Sequence, residues 1–266
     1  MLAVLVILAL VTMITTSWAP EWTKGKESEH LRVVESQFQS LKALMDQLAL
    51  SGNTNTQVST PITLGSEGVP LFSGDARGNI SLLSSNANSY NTLSVLNSTG
   101  SFERVAYGSI AYSSENTEYI DQTFLYECGA VIVRQSDGQL MTTGPGLLLY
   151  NMSGAIKMSM TLISIYSDGS SYTGTGTVGV QCRLVSEKVS DTKTWSNGES
   201  IRINVTSVAY HAWYDYFMEA VPDSGIGQSQ FTVSEDSGTK TTTLTLRNVV
   251  QLTTEYVILG ASLDLS

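Results

Sequence analysis

Residues able to do chemistry are few in this chain of 266, and no two of them stand at a spacing that makes a site. The two histidines, His30 and His211, are isolated from each other and from the cysteines, so both read as structural. No HExxH, CxxC or GxSxG occurs, and no glycine-rich phosphate loop precedes a basic residue. Asp121, Asp137, Asp168, Asp191 and Asp223 fall in turn-like stretches, where Asp is the ordinary turn former and a loop Ca2+ site is the minor alternative. Tyr210, Trp213, Tyr214 and Phe217 could stack on a sugar or a neighbour, but their helical spacing reads first as core. The expectation is a protein with no enzymatic activity, no cofactor and no metal.

Two further residue types bear on where the chain resides. Cys128 and Cys182 are the only cysteines, each inside an apolar run. In an exported protein such a pair reads as a disulfide, worth about 4 kcal/mol in the chain-entropy picture; two separate thiols are the alternative. Asn79, Asn97, Asn151 and Asn204 each open an N-x-Ser/Thr sequon, permissive for glycosylation. The net charge of −10 and the scattered Lys and Arg exclude a nucleic-acid partner, and the low charged fraction of 14% fits an extracellular surface.

The element that must carry all of this is the first fifty residues. Residues 1–19 contain no charge, and at ~1.5 Å per residue they make a helix of about 28 Å, enough to span a bilayer. Leu2, Val4, Leu5, Ile7, Leu8, Leu10, Val11, Ile14 and Trp18 form its apolar surface, and Ala3, Ala9, Thr12, Thr15 and Thr16 are small enough to let helices approach. A secretory signal peptide is the plain alternative, but the basic n-region is missing. Lys24 and Lys26 would by themselves draw the remainder into the cytoplasm, so a short basic leader, cut off after it has set orientation, is expected. Trp18 and Trp22 flank Pro20 at the boundary, with a kink expected at Pro20 and a second soft point at Gly25.

Beyond the boundary Leu31, Val34, Phe38, Leu41, Met45 and Leu48 recur at steps of three and four, a packed seam, with Val33 and Leu44 widening it. Glu27, Glu29, Arg32, Glu35, Lys42 and Asp46 are placed on other faces, and His30 on the polar side. The seam meets either the chain's own sheet or neighbouring subunits. Residues 51–266 then read as antiparallel strands, beginning at 61–65, running through glycine-rich turns to 79–83, and continuing in segments 105–112, 123–134, 139–143, 146–150, 155–166, 172–189, 200–205, 230–234 and 239–246, with 251–265 as a final apolar strand or pair. Turns are expected at Ser136–Gly138, Ser167–Gly169, Ser196–Gly198 and Ser237–Gly238, a polar surface excursion over 84–103, and one short helix over 208–220 stopped by Pro222. The fold class is therefore α+β: a helical stem, residues 1–50, then a mostly antiparallel β-sandwich-like head, residues 51–266, with one short helix.

In this order of features the chain resembles archaeal type IV pilin-like surface proteins. The resemblance rests on the uncharged apolar helix, Pro20-Glu-Trp22, the E-x-x-H-L-x-x-V-x-x-x-F-x-x-L run over 27–41, the extended P-I-T-L-G segment with its glycine-rich turn, and the aromatic helix at 210–217. It covers the stem closely and the head loosely. Leu5 stands where many bacterial pilins carry glutamate, as is common among archaeal relatives. The resemblance implies leader removal by a prepilin-type peptidase, residence in the membrane before assembly, delivery by a pilus assembly machinery, and a homopolymer whose core is the bundled N-terminal helices. Its expected role is a structural subunit of a cell-surface filament for adhesion. The alternative is a monomeric membrane-anchored extracellular binding domain.

Overall fold

Apolar residues that repeat every three to four positions and then, past Gly52, every two give the chain its two parts. The computed structural model describes residues 2–54, 56–69, 73–84 and 91–265, and the statements below concern those residues. One helix runs from Leu2 to Ser51, roughly 75 Å at 1.5 Å per residue. It comprises α1 (Leu2–Met13), a π-helical turn (Ile14–Trp18) and α2 (Ala19–Ser51). The π turn is the local answer to Pro20, which has no N–H to donate back along the helix: the turn before it widens, and the Ala19 N–H reaches the Ile14 carbonyl. The expected interruption is thus absorbed, and Gly25 stays helical. Gly52 ends the helix in the left-handed region, φ 62°.

The head contains fifteen strands among the described residues: β1 (Gln57–Thr63), β2 (Arg77–Leu83), β3 (Thr92–Leu96), β4 (Phe102–Tyr107), β5 (Ser109–Glu115), β6 (Thr123–Glu127), β7 (Ala130–Gln135), β8 (Gly138–Thr143), β9 (Gly146–Met152), β10 (Ala155–Tyr166), β11 (Ser171–Gly174), β12 (Thr177–Leu184), β13 (Val189–Thr206), β14 (Phe231–Asp236) and β15 (Thr241–Leu265). One α-helix, α3 (Tyr210–Asp223), and a single 3-10 turn (Gln228–Gln230) lie between β13 and β14. The chain is α+β, a long N-terminal helix followed by mostly antiparallel sheets.

The larger sheet is organised on β15, a single strand of 25 residues. Along one edge β13 and then β12 run antiparallel to it; along the other lie β14 and then β10, whose pairing with β15 is parallel. The order continues outward to β1 beyond β12, to β3 and β4 beyond β13, and to β9 beyond β10. The second sheet, β11-β2-β5-β6-β7-β8, is antiparallel throughout.

Several expectations are corrected here. Residues 105–112 do not form one strand: Gly108 (φ 89°) turns the chain from β4 in the larger sheet to β5 in the smaller, and a Cβ there would meet the Ile165 carbonyl at 2.4 Å. Ser196–Gly198 is not a hairpin but a bulge inside β13, because β15 offers partners on both sides of it, Gln251 for Thr194 and Val249 for Glu199. In the expected excursion over 84–103, residues 85–90 lie outside the described part, and the rest contains β3, whose Leu93 and Val95 are fully buried. Pro222 sits inside the last turn of α3 instead of following it.

Two apolar cores result. In one, Trp213, Phe217 and Val221 of α3 pack on β10, β13, β14 and β15; in the other, the seam of α2 packs on both sheets. The β6–β7 hairpin faces both, with Leu125 and Ile132 toward α3 and Phe124, Tyr126 and Val131 toward α2. That is why its sequence is continuously apolar instead of alternating. Cys128 closes this hairpin in the first core and Cys182 lies on β12 in the second, and both are free thiols. The expected disulfide is replaced by two buried thiols, each filling its own core; burial pushes Cys182 up to about 12 and Cys128 up as well, so neither is reactive.

Candidate functional site

No residue of α1 is buried. Leu2, Val4, Leu5, Ile7, Leu8, Leu10 and Val11 stand 51% to 80% exposed, and Trp18 is half exposed, with only Ile14 of the expected core set partly covered. The polar atoms of this rod are satisfied within it: Thr12 Oγ1 donates to the Leu8 carbonyl at 2.8 Å, Thr15 Oγ1 to Val11 at 3.0 Å and Thr16 Oγ1 to Thr12 at 2.7 Å. What remains for a neighbour is about 25 Å of hydrocarbon surface, uncharged and long enough, with the helix it belongs to, to cross a membrane.

Contact with the head begins abruptly at Ala19. Trp18 and Trp22, ring centroids 6.3 Å apart and both about half exposed, mark the boundary. Just beyond it polar clamps fasten the helix to the connection between β1 and β2: Thr23 Oγ1 donates to Ser73 Oγ at 2.9 Å, and Lys26 Nζ to the Gly68 carbonyl at 2.9 Å. The strongest clamp is Glu27. Its carboxylate, 1% exposed, accepts the backbone N–H groups of Thr117 at 2.6 Å, Glu118 at 2.9 Å and Tyr119 at 2.7 Å, so the β5–β6 loop wraps a charged side chain of the helix.

The seam residues Leu31, Val34, Phe38, Leu41, Met45 and Leu48 are all buried against the chain's own strands β1, β6, β7, β12 and β15. Val33, in contrast, is exposed. Three polar residues placed on other faces are buried too. Glu27 is one; Lys42 pairs with Asp46 at 2.6 Å, one turn on; and His30 lies on the seam with Nε2 3.0 Å from Tyr112 Oη and 3.2 Å from the Leu64 carbonyl. Tyr112 gives its own proton to the Leu64 carbonyl at 2.6 Å, which leaves His30 as the neutral Nε2–H tautomer donating. These residues extend the ladder 19, 23, 27, 30 into the seam, a spacing visible in the sequence whose polar side chains disguised it.

The remaining candidates do not converge. His211 is exposed on α3, with Nδ1 2.9 Å from Glu235 Oε2 and Nε2 3.9 Å from Asp215. Asp191 lies in β13 and Asp223 ends α3 instead of forming turns, whereas Asp168 takes the Ser170 N–H at 3.0 Å as a turn former does. Among the described residues no group of three His, Cys, Asp or Glu is placed to hold a metal. The sequons differ in setting: Asn79 bonds Thr173, Asn97 shapes its own turn through Thr99 and Ser101, Asn151 is exposed and bonds the Gly225 carbonyl, and Asn204 sits mid-strand between β3 and β15. Glu127 was not singled out by sequence. It is wholly buried, accepts Ser207 Oγ at 2.6 Å and Trp213 Nε1 at 2.7 Å, and fastens α3 to β6; burial raises its pKa. A glutamate inside the run FLYECGAVIV was the available signal.

The two histidines are expected to titrate in opposite directions. Burial lowers the pKa of His30, and the hydrogen bond to Glu235 raises that of His211. The His211 pair therefore adds stability that is full below the unfolded value of about 6.5 and is lost as pH rises through the raised folded value. His30 does the reverse, its contribution being lost as pH falls below about 6.5. Proton NMR of the imidazole rings should show one signal titrating below 6.5 and one above, and His211→Gln should remove the upper one.

A model of a family of unknown function, DUF7289, matches residues 2–257, from the uncovered rod into β15. No curated protein and no solved structure shows a match to the chain. Rod and head are therefore matched together as one unit.

Proposed function

We propose that this chain, which belongs to the DUF7289 family of unknown function, is the structural subunit of an extracellular filament of the type IV pilus kind, polymerised through residues 2–18. The observation behind this reading is the contrast within one helix: α1 has no buried residue, whereas α2 is fastened to the head by Glu27 and a full apolar seam. A rod so exposed needs a permanent apolar surrounding. Lipid supplies it before assembly, and copies of the same rod supply it in a fibre. Such contacts are head-to-tail and open, so they propagate instead of closing. The absence of slack between rod and head suits a fibre, because a subunit pulled at its head must transmit force to its buried rod.

A monomeric membrane-anchored binding domain is the second reading, favoured by the one helix long and apolar enough to cross a bilayer. Shearing cells that produce the chain and examining the released material by negative-stain microscopy with an antibody to the head separates the two. Labelled fibres support the filament; chain found only as dispersed monomer in the membrane fraction contradicts it.

A further inference from the structure

The face of the larger sheet turned away from the stem carries a groove of about 380 Å³ that the assembly reading does not use. Its floor is Gly260 on β15. Register places Arg183 of β12 on one side of that glycine and Tyr166 of β10 on the other, with Gln57 of β1 next beyond Arg183. The two walls are two strand spacings apart, about 10 Å. A Cβ on Gly260 would meet Val185 Cγ2 at 2.9 Å and Arg183 Cγ at 3.6 Å, so the bare backbone there is what keeps the groove open.

The lining has a particular chemistry. Tyr166 is 60% exposed, an uncovered aromatic ring at the end of a strand. The Arg183 guanidinium has no hydrogen bond or ion pair among the described residues. Asp168 lies at the rim beside Tyr166, and Gln57 Nε2 donates to Gln181 Oε1 at 2.6 Å, while Gln181 Nε2 donates to Asp264 at 2.6 Å, which fixes both amides in orientation. Planar donors, planar acceptors and one aromatic face around a shallow polar cleft are the complement of a pyranose ring, whose hydroxyls give and take hydrogen bonds and whose C–H face stacks on an aromatic. The charge around the cleft selects among saccharides. Asp168 and Asp264 on a chain of net charge −10 disfavour an acidic sugar, and Arg183 disfavours a cationic one.

We propose that this groove binds a neutral saccharide, the pyranose ring stacked on Tyr166 and its hydroxyls held by Arg183, Asp168 and the Gln57–Gln181 amides. The proposal gives the adhesion in the filament reading a ligand class and rests on that reading only for its purpose, since a dispersed subunit carries the whole groove.

The test uses the full chain held in a phosphocholine detergent, which offers no sugar headgroup, applied to immobilised glucose, galactose, mannose and N-acetylglucosamine, singly and as short oligomers, beside glucuronic acid. At least one neutral saccharide should be retained, with a Kd of about 1 mM or below. Tyr166→Ala and Arg183→Ala should each weaken that binding about tenfold or more, while Leu140→Ala, exposed on β8, leaves it unchanged. Retention of no neutral saccharide, retention of glucuronic acid alone, or neutral binding unaffected by both Tyr166→Ala and Arg183→Ala would overturn it. Because no fibre is needed, failure here leaves the filament reading standing, and absence of fibres leaves this proposal standing.

Discussion

Replacing Val4 or Ile7 with glutamate is expected to abolish fibre formation while leaving the head folded. Both side chains are more than 60% exposed on a rod without a charge of its own. Covering that rod with neighbours removes on the order of 1,500 Å² of apolar surface from water, worth tens of kcal/mol at ~25 cal/mol per Å². One glutamate in a dry helical bundle costs several kcal/mol and finds no partner, because the neighbouring rods are identical and equally without cations. The cost recurs at every subunit, so even a modest penalty per contact ends growth. The measurement is fibre yield after shearing, with circular dichroism of the detergent-held chain to show that the head is intact. Normal yield from Val4→Glu would remove residues 2–18 from the fibre core.

Glu27→Ala is expected to be the most damaging single change in the stem–head junction, at about 3–5 kcal/mol. Three backbone N–H groups, at Thr117, Glu118 and Tyr119, converge on this one carboxylate. Its loss leaves them without an acceptor in a part-buried setting, at ~1–3 kcal/mol each before solvent enters. Glu27→Gln keeps the shape but turns one acceptor into a donor that faces N–H groups, so its effect should fall between wild type and alanine. Urea unfolding gives the stability, and hydrogen exchange at residues 117–119 gives the location: protection there should collapse in Glu27→Ala while that of the α3 core is retained. Unchanged protection at those three amides would show that the loop does not depend on the stem.

The consequences of the two changes differ because the helix has two halves with different partners. That division was legible in the sequence: the uncharged run, Pro20, and the 31-34-38-41-45-48 seam all mark it, and the tryptophans mark the border. The antiparallel head and the aromatic helix were legible for the same reason, since alternation and helical spacing are local properties. What sequence could not disclose are features whose cause is distant. Glu27 is buried because the β5–β6 loop far along the chain reaches over it, and His30 because Leu64 and Tyr112 lie against it, and a polar side chain carries no mark of the distant groups that will satisfy it. Gly108 interrupts an apparently continuous strand because Ile165 lies against it. Ser196–Gly198 has the composition of a hairpin, yet β15 is long enough to pair on both sides of it. The cysteines read as a disulfide only because they are an isolated pair in a chain expected to be exported, and they belong to opposite cores.

The claim on which the filament account stands is that residues 2–18 are covered by the same residues of sister molecules. Placing the photoreactive residue p-benzoylphenylalanine at Leu8, 64% exposed and in the middle of the rod, tests it on intact cells. Irradiation is predicted to join chain to chain, giving dimers and higher adducts whose cross-linked peptides pair rod with rod. Adducts formed with lipid alone, and no chain-to-chain product, would contradict the account.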